Sequence, residues 1–205
     1  ILPVQDAAPD VAKILAAKCN DLGALRDAMG VFDLCALKQG ARNFVFSDGP
    51  KQARVMVIGE APNRDEDKEG KPFVGIEGSL VDKMFAAIGM SRTATDRNDA
   101  IHLSLVMPWR PPQDREPSGD EIAMMLPFLR RHVDLVDPDY VILLGNIACS
   151  AGLNKVGISR FRGKWTEAFG KPCLPMLHPR ALIRDPLRKR DAWADLLTLK
   201  GRMKQ

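Results

Sequence analysis

The stretch RVMVIGEAPNRDEDKEGKPFVG, residues 54–75, joins a short apolar run to a long polar loop. The apolar run Arg54–Ile58 has the length and β-branched content of a buried strand, and Gly59 ends it. A second apolar run, Cys173–Leu177, is followed in the same way by the polar segment HPRALIR, residues 178–184. Because parallel strands end at a common edge of their sheet, we expect the two polar loops to border one cleft.

Strand-like and helical patterns alternate along the rest of the chain. Further strands are predicted at 101–107 and 140–144, and helices at 78–88, 118–136 and 185–203. This alternation predicts an α/β fold, a three-layer α/β/α sandwich with a central, mostly parallel four-stranded sheet. Residues 40–52 and 157–169 carry turn signals and are interpreted as loops or hairpins. We expect residues 1–205 to form a single domain.

A helical segment at residues 9–30 is expected to pack on this domain. Its apolar positions, and those of the last helix, define the faces that we predict to point inward. These positions are Val11, Ile14, Leu15, Leu22 and Leu25 in the first segment, and Leu187, Trp193, Leu196 and Leu197 in the last.

The composition of the 205 residues is that of an ordinary globular protein, with a formal net charge of +4. Lys and Arg far outnumber Asp and Glu from Arg160 to Lys204, which fits either a phosphate-binding face or a solvated basic helix. No apolar run approaches the length of a membrane span, and no secretion signal is recognisable. Four cysteines without a C-x-x-C pattern predict free thiols in a reducing cytoplasm.

The two polar loops resemble the motifs of a known family. The segment GEAP, an acidic stretch and then GKPFVG at 70–75 are similar to the first motif of the family four uracil-DNA glycosylases. The strand followed by His178 and Pro179, with Leu182 and Arg184 after them, is similar to the second motif. The similarity runs from about Phe32 to Leu197 and includes WRPP and RGKW segments. It implies a DNA repair enzyme that flips uracil out of DNA and hydrolyses its N-glycosidic bond, leaving an abasic site.

The resemblance also implies roles for individual residues. His178 would donate a hydrogen bond to the uracil O2, and Phe73 would stack on the flipped base. Glu60 and Asp114 are the candidate catalytic carboxylates, Asp114 standing where the family has an Asn that positions water. Gly59, Ala61, Pro62 and Asn63 would line the base pocket, and Ser79, Arg180, Ala181, Leu182 and Arg184 would contact DNA. From the residues alone, Phe73 could instead belong to the core, and His178 could be a structural residue. Glu60 could simply hold the loop backbone in place.

The chain departs from the family at the positions that usually hold a [4Fe–4S] cluster. The four cysteine positions fall on Phe32, Cys35, Trp109 and Met125, so only one thiol remains. We therefore predict no iron–sulfur cluster and no other metal, with apolar burial in place of ligation.

A second departure concerns base recognition. Leu105 occupies the place of an Asn that reads the uracil edge in the family, and a Leu offers no hydrogen bond. Asn63 could supply an amide instead, or could simply adopt a left-handed turn. Three interpretations follow: a uracil-DNA glycosylase, a glycosylase for hypoxanthine or xanthine, or a non-catalytic uracil-DNA-binding module. We expect a cytoplasmic, nucleoid-associated monomer that acts on single- or double-stranded DNA.

Overall fold

The computed structural model describes residues 8–204, which form an α/β fold around a six-stranded sheet. The strands are β1 (Ser47–Asp48), β2 (Val55–Gly59), β3 (Ile101–Leu105), β4 (Tyr140–Leu144), β5 (Thr166–Ala168) and β6 (Lys171–Met176). The helices are α1 (Ala8–Ala17), α2 (Leu22–Gly30), α3 (Leu37–Gly40), α4 (Arg64–Glu69), α5 (Gly75–Ala86), α6 (Gly119–Val136), α7 (Asn146–Leu153), α8 (Pro179–Arg184) and α9 (Lys189–Met203). None of these helices is long and apolar enough to cross a bilayer.

The sheet has the strand order β1-β3-β2-β4-β6-β5. The four inner strands β3, β2, β4 and β6 run parallel, as the sequence predicted, and are almost entirely buried, which explains their continuous apolar runs. The edge strands β1 and β5 pair antiparallel with β3 and β6. The prediction of four strands therefore missed these two, because strands of two or three residues are too short to show a periodic pattern.

The order of the inner strands creates a topological switch. β3 lies on one side of β2, whereas the later strands β4 and β6 lie on the other side of β2. In such a sheet, ligands bind beyond the carboxyl ends of the strands at the switch. Ile58 of β2 pairs with Leu143 of β4, and Leu144 of β4 pairs with Met176 of β6. The residues that follow the three strands therefore emerge side by side.

The helical segment predicted at 9–30 is two helices rather than one. Asp21 breaks it and caps α2, its side chain accepting a hydrogen bond from the Ala24 N–H at 2.8 Å. The prediction for the inward face of α1 is wrong, because Ala8, Ala12 and Ala16 are buried there while Val11 and Ile14 are exposed. α1 lies directly against α6, and its buried face is made of alanines because their small side chains fit between the two helices.

The predicted inward face of the last helix is also largely wrong. Leu187, Trp193 and Leu197 are 81%, 44% and 47% exposed. The chain first makes a short 3-10 turn at Pro186–Arg188, and α9 begins only at Lys189. Because α9 begins at this residue, a different set of its side chains faces the core. The buried positions are Ala192, Asp195, Leu196 and Leu199.

A buried ion pair fixes α9 beside the end of β6. The Arg162 Nε donates to Asp195 Oδ2 at 2.9 Å, and the neighbouring Gly163 N–H donates to the Pro175 carbonyl at 2.9 Å. Gly163 has φ of +71°, and a Cβ there would stand 2.2 Å from Asp195 Oδ1. Burial raises the pKa of Asp195 to about 6. The loop that carries Arg162 and Gly163 thus attaches α9 to β6, the strand that leads to His178.

Replacing Arg162 with Met should destabilise the protein by about 3–5 kcal/mol, because it leaves a buried carboxylate without its partner. The raised folded-state pKa of Asp195 means that the folded protein binds this proton more tightly than the unfolded chain does. The loss of unfolding free energy should therefore be largest at pH 8, where Asp195 is ionised, and smaller at pH 5, as measured by urea unfolding. The matched control is Arg190→Met, since Arg190 lies on α9 with Asp195 and its side chain is exposed. Equal losses at both pH values would contradict the assignment.

Candidate active site

Three residues that follow the inner strands meet at the switch: Glu60 after β2, Gly145 after β4 and His178 after β6. Gly145 has φ of +93°, and a Cβ on it would lie 2.3 Å from Glu60 Oε1 and 3.1 Å from the His178 Cβ. Only glycine leaves room there for the other two side chains. The structure thus brings the two polar loops of the sequence to one cleft, as expected.

His178 is a buried, neutral imidazole. It caps α8, and its Nδ1 accepts a hydrogen bond from the Arg180 backbone N–H at 3.3 Å. Burial, helped by the charge of Arg180, lowers the pKa of His178 to about 3. A neutral imidazole whose Nδ1 is an acceptor carries its proton on Nε2. His178 therefore offers one N–H donor to a ligand in the cleft.

Phe73 is held in a left-handed conformation, with φ of +53°. Its N–H donates to Glu66 Oε1, and its carbonyl accepts from Arg92 Nη2 at 2.8 Å. The ring lies directly against Gly59, where a Cβ would stand 2.6 Å from Phe73 Cζ. Such a conformation costs roughly 1–3 kcal/mol and is kept only where the surroundings impose it. Phe73 is buried, but it forms a fixed aromatic surface next to the end of β2.

The carboxylate that imposes this geometry is Glu66, a structural role that the sequence reasoning missed. Glu66 Oε2 accepts the Asn63 N–H at 2.7 Å while Oε1 accepts that of Phe73, so one side chain ties both ends of the loop. Burial raises the pKa of Glu66 to about 7. The spacing of Asn63 and Glu66 is that of a capping box, which is the signal that could have revealed this role.

The interpretation of Asn63 as a left-handed residue is wrong, and its side-chain oxygen is engaged within the protein. Its φ is −82°, so it does not occupy a left-handed turn. Its Oδ1 accepts the N–H groups of Asp65 and Glu66 at 2.9 and 3.0 Å, which uses the oxygen to cap α4. An amide with this oxygen occupied cannot accept the N3–H of uracil.

The two candidate carboxylates line one cavity together with Ala61, Pro62 and Arg180. Glu60 Oε1 accepts the Ile147 N–H at 3.2 Å, and burial raises the pKa of Glu60. Asp114 accepts from Arg110 Nε at 2.7 Å, and this bond lowers the pKa of Asp114. Two carboxylates in one cavity with pKa values shifted in opposite directions are typical of an acid–base site.

The predicted DNA-contacting residues divide into two groups. Arg180 and Arg184 are exposed and Ala181 is half-buried, whereas Leu182 is fully buried because the apolar side of α8 packs inward. The predicted contact of Leu182 with DNA therefore does not agree with the position of its side chain in the core.

Ser79 is the fifth residue of α5, beyond the four N–H groups that a helix leaves free. Only its exposed hydroxyl is available, so the prediction of an N–H contact to phosphate from Ser79 is wrong. The sequence reasoning also missed Glu77, whose Oε1 accepts from Arg180 Nε at 3.0 Å.

The four positions that align with cluster ligands are all buried. Phe32 packs edge-on against Phe128, and Trp109 lies 5.8 Å from Phe44 between ring centroids. Burial raises the pKa of Cys35, which disfavours the thiolate that a metal needs. Within residues 8–204, no three His, Cys, Asp or Glu side chains are grouped so as to hold a metal. This donor set does not fit a four-thiolate cluster.

Leu105 makes the wall beside Phe73 apolar. It is buried, and a Cβ at Gly59 would stand 2.8 Å from Leu105 Cδ2. Its side chain thus borders the same spot at the end of β2 as the Phe73 ring, and it presents no polar group there.

Comparison with known proteins agrees with this geometry. A family model described as the uracil DNA glycosylase superfamily matches residues 46–197. The chain is 36% identical to the type-4 uracil-DNA glycosylase of Sulfurisphaera tokodaii, over 76% of this chain and 73% of that protein. It is 33% identical to the type-4 enzyme of Saccharolobus solfataricus, over 83% and 81% of the two chains, and 31% identical to that of Archaeoglobus fulgidus, over 78% and 82%.

Replacing Glu66 with Gln should destabilise the protein by about 1–3 kcal/mol, because Gln has one acceptor oxygen for two buried N–H groups. Phe73 should then lose its fixed position, so any activity that uses the ring should fall as well. Urea unfolding and the rate of base release measure the two effects. Glu69→Gln, on the exposed side of the same helix, is the control. A Glu66→Gln protein with the stability of the control would contradict this role.

Proposed function

Because the chain belongs to the uracil DNA glycosylase superfamily, we propose that it excises uracil from DNA. It is a DNA repair glycosylase that hydrolyses the N-glycosidic bond of a flipped deoxyuridine and leaves an abasic site. The observation that carries this function is the buried neutral His178, with its Nε2 proton, beside Glu60 at the carboxyl ends of the strands.

His178 stabilises the departing base. As the bond breaks, the sugar becomes cationic and the uracil anionic, with charge building on O2. A preorganised donor in a buried site stabilises such a developing anion far better than water does, at about 3 kcal/mol for one donor. The lowered pKa of His178 keeps the imidazole neutral at physiological pH, and the bond from the Arg180 N–H to Nδ1 places its one ring proton on Nε2.

The base pocket is formed by the end of β2 and by Phe73. Gly59 has no side chain, which lets the aromatic ring approach the backbone closely. Stacking of a base on such a ring contributes roughly 1–3 kcal/mol. Ala61 and Pro62 border the adjoining cavity with Glu60. We assign stacking to Phe73 and the pocket edge to Gly59, Ala61 and Pro62.

Glu60 is the group that we assign to accept a proton from the attacking water, and Asp114 the group that orients this water. A general base works best with a pKa near the operating pH, and burial moves the pKa of Glu60 in that direction. The bond to Ile147 engages Oε1 of Glu60 and leaves Oε2 for water. Asp114 stays anionic through its bond to Arg110.

The proposed enzyme works without an iron–sulfur cluster, as a monomer, on single- or double-stranded DNA in the cytoplasm. The buried aromatic and aliphatic side chains at three of four ligand positions support the first point. All the assigned groups come from one chain, which supports a monomer. The four cysteines are buried and free, which fits a reducing compartment.

Leu105 favours a second candidate, a glycosylase of the same superfamily for hypoxanthine or xanthine. With an apolar wall at Leu105 and the Asn63 oxygen engaged in its helix cap, neither side chain offers an acceptor for the N3–H by which uracil differs from cytosine. A matched set of oligonucleotides, each with uracil, hypoxanthine, xanthine or thymine at one position, separates the two candidates by which base is released.

Replacing His178 with Ala should lower the single-turnover rate of uracil release by about 10²–10³-fold, because one transition-state donor is lost. DNA binding should persist, since the donor acts on the departing base. The rate is measured by cleaving the abasic product with alkali on a gel. Near-normal release by the variant would contradict the role of His178. Binding of uracil-containing DNA without any release by the native protein would indicate a non-catalytic module.

The acidic limb of the pH profile should identify the general base. A base must be deprotonated, so a raised pKa moves the loss of kcat/KM to a pH above the ordinary range of a carboxylate. Glu60→Gln should remove this limb and lower the rate about 10²–10⁴-fold. Asp114→Asn should keep the limb, since the pKa of Asp114 is lowered. A limb that persists in Glu60→Gln would rule out Glu60.

A further inference from the structure

Arg180 stands at the mouth of the site, but its guanidinium is already paired. Its Nε donates to Glu77 Oε1 at 3.0 Å, which links the first turn of α8 to the first turn of α5. The side chain of Arg180 is 52% exposed, whereas that of Glu77 is only 13% exposed. Arg180 also lines two adjoining cavities that share Asp114, so its charge faces whatever enters either one.

The surroundings of this pair are acidic for a surface that meets a polyanion. Glu60, Asp65, Asp114 and Glu116 line the same two cavities, with Arg64 and Arg115 as the other cations. Arg115 is itself paired with Glu121. A DNA phosphate that approaches the mouth therefore meets two guanidinium groups, those of Arg64 and Arg180, and Glu77 already engages the Nε of Arg180.

We propose that the Arg180–Glu77 bond is an exchangeable ion pair, in which a DNA phosphate takes the place of Glu77 on Arg180 when the substrate docks. Glu77 thereby sets the affinity for DNA by competing with phosphate. The inference rests on the proposed function, because the displacing group is a phosphate of the DNA substrate.

The chemistry of the two groups permits this exchange. Carboxylates and phosphates bind guanidinium through the same geometry of paired oxygens. Arg180 is exposed enough to turn towards a phosphate, while Glu77 is held in the first turn of α5. A carboxylate left there without its partner is stabilised by the positive end of the helix dipole. Releasing Glu77 from Arg180 therefore costs less free energy than leaving a buried carboxylate without any stabilising interaction would.

Two substitutions test the exchange, with a fluorescent duplex oligonucleotide that carries a reduced abasic site as the probe. This probe contains no base to release, so binding is measured without turnover. Arg180→Gln should weaken binding and make the slope of log K against log salt shallower by about 0.9, the value for one lost phosphate contact. Glu77→Gln should tighten binding about two- to fivefold, as expected from losing one competing surface ion pair.

A double substitution separates competition from general electrostatics. The Glu77→Gln, Arg180→Gln protein should bind like Arg180→Gln alone, because Glu77 acts only through Arg180. Glu167→Gln, an exposed residue of β5, changes the net charge equally and should bind like the native protein. Equal tightening by Glu77→Gln with and without Arg180 would overturn the proposal.

The salt slope of Arg180→Gln tests whether Arg180 contacts phosphate, which the exchange requires, even if a Glu77 variant fails to fold. An unchanged slope would mean that the pair remains intact in the complex, and the proposal would be wrong. Uracil release by the native protein is measured separately. Failure of that assay would overturn the proposed function, whereas the binding slopes report on the ion pair alone.

Discussion

The parallel pairing of β2, β4 and β6 is the constraint on which the site depends. Three parallel strands in register end at one level, so the residues after them share one edge of the sheet. Gly145 then provides the space in which Glu60 and His178 lie on either side of the middle strand's end. The proximity of Glu60 and His178 therefore depends on which strand each residue follows.

Burial at this edge moves the pKa values of the groups in opposite directions. It lowers the pKa of His178 and raises those of Glu60 and Glu66, since in each case the neutral form is favoured. Asp114 lies nearer the solvent and keeps its charge through Arg110. One environment thus supplies a neutral donor, a carboxyl group with a raised pKa and an anion held by Arg110, which suits the proposed hydrolysis.

The sequence predicted the four inner strands because buried parallel strands produce continuous apolar runs, and it placed Glu60, Phe73 and His178 at their ends. It failed where the outcome depends on packing. The buried face of α1 is lined by alanines, which carry little hydrophobic signal, and the rotation of α9 follows from the turn at Pro186–Arg188. Bonds between distant segments, such as that of Glu77 with Arg180, leave no pattern in the chain. Leu182 matched the expected motif, yet its burial is set by the packing of α8.

At the positions that the resemblance aligns with cluster ligands, side-chain packing supports the proposed absence of a cluster. A cluster joins segments that are far apart in the chain, and here Phe32 of the N-terminal region packs on Phe128 of α6 while Trp109 packs on Phe44. The Val45 N–H also donates to the Pro108 carbonyl at 2.9 Å, which fixes the loop that carries Trp109. Burial of a large apolar side chain contributes about 1.5–3 kcal/mol. In the proposed cluster-free enzyme, several such contacts join the same segments, while Glu60 and His178 keep the place that the ends of β2 and β6 give them.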